Sequence, residues 1–254
     1  MKLVIAEKPS VAMALAKVVG ARERKDGYVE GKEYLVSWCV GHLIALCDAS
    51  EYDERYKKWR YEDLPIIPEE WKRKVLDGTK KQFQILKKLM NSKEVDEVIC
   101  ATDAGREGEL IFRFVYDQAG SKKPVKRLWI SSMEERAIKE GFASLKDGSC
   151  YEDLYQSALC RAKADWLVGI NASRLFSVLY NQNLKVGRVQ TPTLAMIVER
   201  NQKVKEFVKE KYYVAHLTFG EFDAVSGHFQ KKEEADKVAS DCSERMCQVE
   251  QEDI

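Results

Sequence analysis

The segment 101–109, Ala-Thr-Asp-Ala-Gly-Arg-Glu-Gly-Glu, concentrates the residues of this chain that could do chemistry. It carries three carboxylates and one guanidinium, with two glycines between them. Mg²⁺ takes oxygen ligands and is often bound by one or two carboxylates together with substrate phosphates. Asp103 and Glu107 therefore predict metal-dependent phosphoryl chemistry. The alternative is a helix N-terminus at which acidic residues only complement the helix dipole.

A further acid, Glu7, directly follows the apolar run 3–6 and precedes Lys8. A carboxylate near other carboxylates has a raised pKa and can act as a general acid or base. A lysine beside it can stabilise the negative charge of a phosphate. Taken alone, the pair is equally well explained as a solvated ion pair in a loop.

Both acidic segments follow short apolar runs, which predict buried strands. Such strands alternate with predicted helices at 9–19 and 79–90, which indicates an α/β fold with a parallel, doubly wound sheet. Ligands bind such sheets at the carboxyl ends of the strands. If the strands before Glu7 and Asp103 are neighbours, the two carboxylates meet at one edge of the sheet although they are far apart in sequence.

Composition sets limits on the function. With 254 residues, 45% of them hydrophobic, and a net charge of +1, the chain can bury a sizeable core but is not a polybasic nucleic-acid binder as a whole. Seven cysteines without a CxxC pair indicate reduced thiols, and three widely separated histidines argue against zinc. No apolar stretch approaches the roughly 20 residues of a membrane span. We expect a cytoplasmic protein that does not associate with membranes, with a monomer favoured.

The second half of the chain changes character. Residues 151–206 are mostly helical by period, and Thr191 and Pro192 there indicate a capped helix start. Beyond them we expect strands, a helix and a further strand, at 212–219, 222–229, 231–240 and 246–249. The basic segments 55–61 and 122–127 are predicted to be solvated faces. The first of them has interleaved aromatic residues that could also stack on single-stranded bases.

Five motifs together resemble the type IA DNA topoisomerases, specifically their bacterial topoisomerase III branch. They occur in the family's order over about residues 1–210, at 6–10, 40–43, 102–109, 165–171 and 187–194. The resemblance implies a Toprim domain over 1–148, a Rossmann-like parallel sheet flanked by helices. It further implies a helical DNA-binding segment over 149–208 and the incomplete start of a β-rich arch domain over 209–254.

The resemblance also implies a mechanism. Enzymes of this family cleave one DNA strand with a tyrosine, form a 5′-phosphotyrosyl link, pass another strand through the gap and reseal it without ATP. By motif position, Glu7 would be the general acid/base, Lys8 would stabilise the phosphate, and Mg²⁺ would be held by Glu7, Asp103 and Glu107. Single-stranded DNA would contact six further residues, His42, Arg106, Arg174, Arg188, Gln190 and Thr191.

Two departures from the family pattern matter. The family usually has the motif Asp-x-Asp-x-Glu, and this chain has Gly105 where the family has the second aspartate. We therefore expect weaker Mg²⁺ binding unless water or Glu109 substitutes for the missing ligand. None of the eleven tyrosines precedes a Pro-Arg-Thr-like sequence, so we expect the nucleophile beyond Ile254 and no cleavage by this chain alone. Two alternatives stay open, a Toprim-type Mg²⁺-dependent nuclease and a non-catalytic fragment that binds single-stranded DNA.

Overall fold

The structure is a computed structural model that describes residues 1–220 and 222–243. It divides into two compact units, Met1–Pro192 and Thr193–Ile254. Within the described residues, no helix is long and apolar enough to cross a membrane.

The first unit is built on a seven-stranded sheet and a separate two-stranded antiparallel pair. The strands are β1 (Lys2–Ala6), β2 (Glu23–Lys25), β3 (Tyr28–Glu30), β4 (Tyr34–Trp38), β5 (Ile44–Leu46), β6 (Arg73–Val75), β7 (Glu97–Ala101), β8 (Val125–Arg127) and β9 (Lys146–Asp147). Strands β5 and β6 form the pair, and the large sheet has the order β2-β3-β4-β1-β7-β8-β9. Its four central strands are parallel, and both edges are antiparallel. The predicted α/β class is confirmed, with a mixed rather than wholly parallel sheet.

Helices cover both faces of this sheet. They are α1 (Pro9–Val19), α2 (Lys80–Met90), α3 (Arg106–Ala119), α4 (Glu135–Ala143) and α5 (Glu152–Tyr180). A further helix, α6 (Gln190–Lys205), begins in the first unit and ends in the second. Successive strand side chains point to opposite faces, so Leu3 and Ile5 of β1 join one buried cluster with α2, α3 and α5. Val4 and Ala6 join the other cluster with α1 and α4. The sheet is therefore buried on both faces, which is why its central strands are short apolar runs.

The predicted helices α1 and α2 are confirmed close to their predicted limits. Proline occupies the first turn of α1, and Gly20, with φ of 77°, ends it in the left-handed region. Helix α4 and the β2–β3 hairpin were not predicted. The strands β2 and β3 are only three residues long and largely polar, whereas α4 carries a helical signal that was missed, Ile138 and Phe142 four residues apart.

The segment 47–72 is held on helix α5 by specific contacts. It contains three short 3-10 helices. The indole Nε1 of Trp166 donates to the carbonyl of Cys47 at 2.8 Å. The Asn171 side chain exchanges two hydrogen bonds with the Ile66 backbone, at 2.6 and 2.9 Å. These contacts hold the segment 47–72 beside α5, and a groove lies between the segment and the helix.

In the second unit, β10 (His216–Phe219) and β11 (Phe222–Val225) form an antiparallel hairpin, followed by α7 (Lys232–Cys242). Both predicted strands and the predicted helix are present, and the strands are shorter than predicted. A single backbone bridge pairs Tyr213 with Phe229 outside the hairpin. The strand predicted at 246–249 lies outside the described residues.

Candidate functional site

Glu7 and Asp103 meet at one edge of the sheet. Strands β1 and β7 are direct parallel neighbours with Ala6 opposite Ala101, so both acids leave the same carboxyl edge. The backbone N–H of Asp103 donates to Oε2 of Glu7 at 3.3 Å. Strand β4 flanks β1 on its other side, and the N–H of Gly41, beyond that strand, donates to the Glu7 carbonyl at 3.4 Å. The predicted adjacency of the two acidic segments is confirmed.

Burial, together with the charge of Asp103, favours the protonated form of Glu7. Its side chain is only 12% exposed, and this burial raises its pKa above the ordinary value, with the charge of Asp103 raising it further. Lys8 opposes the shift, because its Nζ lies 4.0 Å from Oε1 of Glu7 and 4.0 Å from Oδ2 of Asp103. Glu7 can therefore hold a proton at a higher pH than an exposed glutamate, as a general acid requires.

Glu107 is held by His42. The Nε2 atom of His42, in the loop after β4, lies 2.7 Å from Oε1 of Glu107 in the first turn of α3. Among the residues that the structure describes, no three His, Cys, Asp or Glu side chains form a group that could hold a metal ion. The structure thus joins Glu7 to Asp103 and His42 to Glu107, and the three-carboxylate metal site stays a prediction.

Arg127 was not identified from the sequence and lies directly beneath this edge. The prediction that the basic run 122–127 is a solvated face is wrong for Arg127, whose side chain is 1% exposed. Its guanidinium donates to the carbonyls of Cys100, Thr102 and Asp103, at 3.1, 2.8 and 2.7 Å. It therefore fixes the backbone where β7 passes into the acidic segment.

Glu109 balances that buried charge. Its Oε2 lies 3.1 Å from Nε of Arg127, and its Oε1 accepts from Nε of Arg113 at 3.0 Å. The side chain is 2% exposed. The expectation that Glu109 could replace the missing metal ligand is therefore wrong, because both of its oxygens are engaged in buried ion pairs.

The two glycines of the motif differ in whether the structure has room for a side chain at their position. A Cβ on Gly108 would lie 2.2 Å from the carbonyl oxygen of Asp103, so only glycine lets α3 start this close to the strand end. A Cβ on Gly105 would meet nothing within 4 Å, and its φ of −179° is extended backbone that any residue adopts. Gly105 precedes the first residue of α3, Arg106, as its N-cap.

A groove runs from the acidic edge along α5. The lining of one cavity of about 540 Å³ includes His42 and Glu107 together with Arg161 and Asp165 of α5. A second cavity of about 610 Å³ is lined by three arginines, Arg106, Arg161 and Arg188. Arg161 lines both cavities, so His42, Arg106 and Arg188 lie on connected surfaces, and their role in DNA binding stays a prediction. Arg161 was missed, and its only sequence signal is its place one turn before Asp165.

The remaining predicted DNA contacts have different surroundings. Nε of Arg188 lies 2.5 Å from Oδ1 of Asp165, and this ion pair lowers the pKa of Asp165. Gln190 and Thr191 are exposed at the start of α6, which begins one residue earlier than the predicted cap at Thr191. The hydroxyl of Thr191 accepts from the N–H of Gly187 at 3.0 Å. Arg174, in contrast, is almost fully buried in a separate cavity beside Trp59.

Two family models match the chain, one described as a Toprim domain over residues 2–133 and one described as DNA topoisomerase over residues 149–253. A protein named DNA topoisomerase 3 from Staphylococcus epidermidis is 47% identical over 221 residues, 87% of this chain and 31% of that protein. Another of that name from Bacillus thuringiensis is 50% identical over 211 residues, 83% of this chain and 29% of the relative.

The fold agrees with these matches. A structure of full-length topoisomerase I from Thermotoga maritima superposes with a TM-score of 0.58 at 23% identity, covering 93% of this chain and 37% of that one. At 23% sequence identity this similarity supports the fold and nothing further. The chain spans about a third of the length of the curated relatives it matches.

Proposed function

This chain belongs to the type IA DNA topoisomerases, in the topoisomerase III branch, and we propose that it is the part of such an enzyme that carries the Toprim domain. The complete enzyme would cleave one DNA strand, pass another through the break and reseal the first. The observation that carries this proposal is the meeting of Glu7 and Asp103 at one sheet edge, with Lys8 4.0 Å from both carboxylates.

Glu7 would move the proton in cleavage and resealing. When a tyrosine attacks the phosphorus and takes the 5′-phosphate, the 3′-oxygen leaves and needs a proton. The raised pKa of Glu7 suits the donation of that proton and its recovery when the strand is resealed. Lys8, beside it, would neutralise charge on the phosphate oxygens.

Glu7 and Asp103, with Glu107, are proposed to hold Mg²⁺. Their chemistry fits a hard cation, because adjacent carboxylates repel each other and a divalent ion between them removes that repulsion. When bound, the ion would supply positive charge to the phosphate during resealing. Glu107 would have to leave His42 to take part, since His42 now holds its Oε1.

Single-stranded DNA is the proposed substrate of the groove along α5. Arg106, Arg161 and Arg188 converge on one cavity, and arginine is well suited to phosphate oxygens. Because the net charge of the whole chain is only +1, binding must come from this local patch. His42, Gln190 and Thr191 are proposed to add polar contacts.

We further propose that the chain alone does not form the covalent link, since none of its eleven tyrosines is followed by proline. The test of this point is incubation with labelled single-stranded DNA followed by a denaturing gel. A covalent protein–DNA adduct would contradict it. Mg²⁺-dependent nicking that is lost in Asp103→Ala would instead favour a nuclease of the Toprim type.

The topoisomerase assignment itself is tested by a chimera. This chain replaces the segment that it matches in the Staphylococcus epidermidis relative. We expect the chimera to relax negatively supercoiled plasmid, and Asp103→Ala to abolish relaxation while Arg136→Ala, an exposed change on α4, leaves it intact. A folded chimera that binds single-stranded DNA without relaxing plasmid would support a binding fragment.

A further inference from the structure

The contact between His42 and Glu107 joins two segments of the acidic edge. His42 lies in a loop that turns at Gly41, where a φ of 76° favours glycine. The N–H of Gly41 donates to the carbonyl of Glu7 at 3.4 Å, which holds this loop beside the first acidic segment. Glu107 lies in the first turn of α3, four residues after Asp103. Each partner of the contact is therefore carried by a segment that adjoins a proposed ligand of Mg²⁺.

The contact keeps Glu107 apart from the other two acids. An ionised carboxylate can only accept hydrogen bonds, so Nε2 of His42 donates to Oε1 of Glu107 at 2.7 Å. Glu7 and Asp103, in contrast, both lie 4.0 Å from Nζ of Lys8. Among the described residues, no three His, Cys, Asp or Glu side chains form a group that could hold a metal ion. Of the three carboxylates proposed to bind Mg²⁺, Glu107 is the one that a different side chain holds.

A ligand can break this contact easily. The side chains of His42 and Glu107 are 42% and 60% exposed, and exposed ion pairs contribute little because water screens them. Both residues also line the cavity of about 540 Å³ that includes Arg161. A phosphate oxygen in that cavity is an alternative acceptor for the Nε2–H of His42. Its binding there would release Glu107.

A structural explanation competes with this one. Glu107 lies in the first turn of α3, where a negative charge complements the helix dipole. His42 would then be no more than its surface partner. In that case the removal of His42 changes stability alone and leaves the binding of Mg²⁺ as it is.

We propose that His42 is a positioning residue, which withholds Glu107 from Mg²⁺ until a phosphate of the DNA strand takes its Nε2–H. The site then binds Mg²⁺ more weakly without DNA than with DNA in place. Because coupling between two ligands is reciprocal, Mg²⁺ should raise the affinity for DNA by the same factor. The inference rests on the proposed function, since it concerns the regulation of the same metal site.

The first test measures Mg²⁺ binding by isothermal titration calorimetry without DNA. His42→Ala should raise the affinity about two- to fivefold, because the ion no longer has to break the contact. His42→Gln keeps a side-chain donor for Glu107 and should match the parent. In a Glu107→Gln background, His42→Ala should have no effect, since the two residues act through one interaction. A gain that persists in that background would come from the charge of His42 alone and would refute the inference.

The second test measures the coupling to DNA. Fluorescence anisotropy gives the affinity for a labelled single-stranded oligonucleotide with and without Mg²⁺, at constant ionic strength because cations also compete for phosphates. The ratio of the two affinities should be about two- to fivefold higher in the parent than in His42→Ala, which has no contact left to break. Equal ratios would mean that DNA does not release Glu107, and the inference would fail.

Matched controls separate this contact from general effects of charge and folding. His216→Ala removes an exposed histidine of β10, and Glu135→Gln removes an acid from the first turn of α4. Neither should change the affinity for Mg²⁺. Thermal melting reports on stability: if His42→Ala lowers the melting temperature and leaves Mg²⁺ binding unchanged, the contact is structural and the inference is refuted.

The outcomes distinguish this inference from the proposed function. If Mg²⁺ binding is lost in Asp103→Ala but is indifferent to His42, the metal site stands and the inference is refuted. If His42→Ala weakens Mg²⁺ binding, His42 supports the site rather than restraining Glu107, which also refutes the inference. If the parent chain binds no Mg²⁺ with or without DNA, the proposed metal site fails, and the inference fails with it.

Discussion

The backbone N–H of Asp103 donates to the Oε2 atom of Glu7 at 3.3 Å, and this contact joins two chain segments that are 96 residues apart. It partly offsets the repulsion between the two carboxylates, because it stabilises the ionised form of Glu7. Burial and the charge of Asp103 outweigh it, so the pKa of Glu7 is still raised. The ionised form of Glu7 is therefore unfavourable beside Asp103, and a bound proton or cation would remove this repulsion.

Glu7→Gln should stabilise the fold at neutral pH. Because the pKa of Glu7 is raised in the folded state, that state binds its proton more tightly than the unfolded chain, and stability falls as the pH rises through this range. Below the ordinary value of 4.5 both states are protonated, and the variant should match the parent. Thermal melting across pH measures the difference. The exposed change Glu70→Gln is the control, and a destabilised Glu7→Gln at neutral pH would contradict the prediction.

Gly105→Asp should strengthen Mg²⁺ binding. The position has open space for a side chain and unstrained backbone, so an added carboxylate can join Glu7 and Asp103. Isothermal titration calorimetry should show a higher affinity for Mg²⁺, since the number of charged oxygen ligands tunes how tightly such a site holds a hard cation. Gly105→Asn separates this effect from helix capping, because asparagine caps as well as aspartate but adds no charge. Equal Mg²⁺ affinities in the two variants would refute the prediction.

Gly108→Ala should destabilise the fold by displacing the backbone at the same site. Its Cβ would lie 2.2 Å from the carbonyl oxygen of Asp103, so the start of α3 or the end of the acidic segment must move. We expect a loss of about 1–3 kcal/mol in unfolding free energy, measured by urea denaturation. Gly105→Ala is the matched change at an open position. If both alanines are tolerated equally, the close approach of helix and strand is not a constraint.

Arg127→Met should be strongly destabilising. It removes one partner of a buried ion pair and leaves Glu109, together with three backbone carbonyls, short of donors. We expect a loss of about 3–5 kcal/mol in urea denaturation. Lys126→Met, next to it in β8, breaks only a 3.3 Å surface pair with Asp147 and should cost at most about 1 kcal/mol. Similar losses in both would show that the buried network contributes little.

Asp165→Asn should tighten the binding of single-stranded DNA. Asp165 engages Arg188 at 2.5 Å and lies 3.7 Å from Arg161, so it competes with phosphates for both guanidiniums. The variant should bind more tightly at low salt and show a steeper salt dependence, by about one phosphate contact. Arg188→Ala should do the reverse. Weaker binding in Asp165→Asn would mean that Asp165 orients Arg188 for DNA rather than competing with it.

Much of the acidic edge could be predicted from the sequence because local rules govern it. Buried parallel strands are short apolar runs, and their carboxyl ends share one edge, so the sequence predicts that Glu7 and Asp103 form one site if their strands are neighbours. Helix α2 was predicted from its apolar face, which Phe83, Leu86 and Met90 bury as expected. The spacing of apolar residues shows which side of a helix or strand is buried, and the formation of these elements depends mainly on that burial.

Contacts between distant segments could not be predicted in that way. Arg127 lies in a run of basic residues, and only its position under the end of β7 makes it a buried partner of Glu109. His42 and Glu107 each belong to a separate motif, and nothing in either motif indicates their 2.7 Å contact. The pocket around Arg174 exists because the segment 47–72 packs on α5, which no periodicity signals.

The sequence by itself therefore determined the chemistry of this protein, a set of carboxylates at strand ends beside a lysine, and the family whose motifs it carries. The tertiary structure alone decided which charges are paired, buried or free to bind a ligand. The reason is physical. The secondary structure of a segment depends largely on residues close to it in the sequence, whereas the solvation and the partners of a side chain depend on segments that only folding brings together.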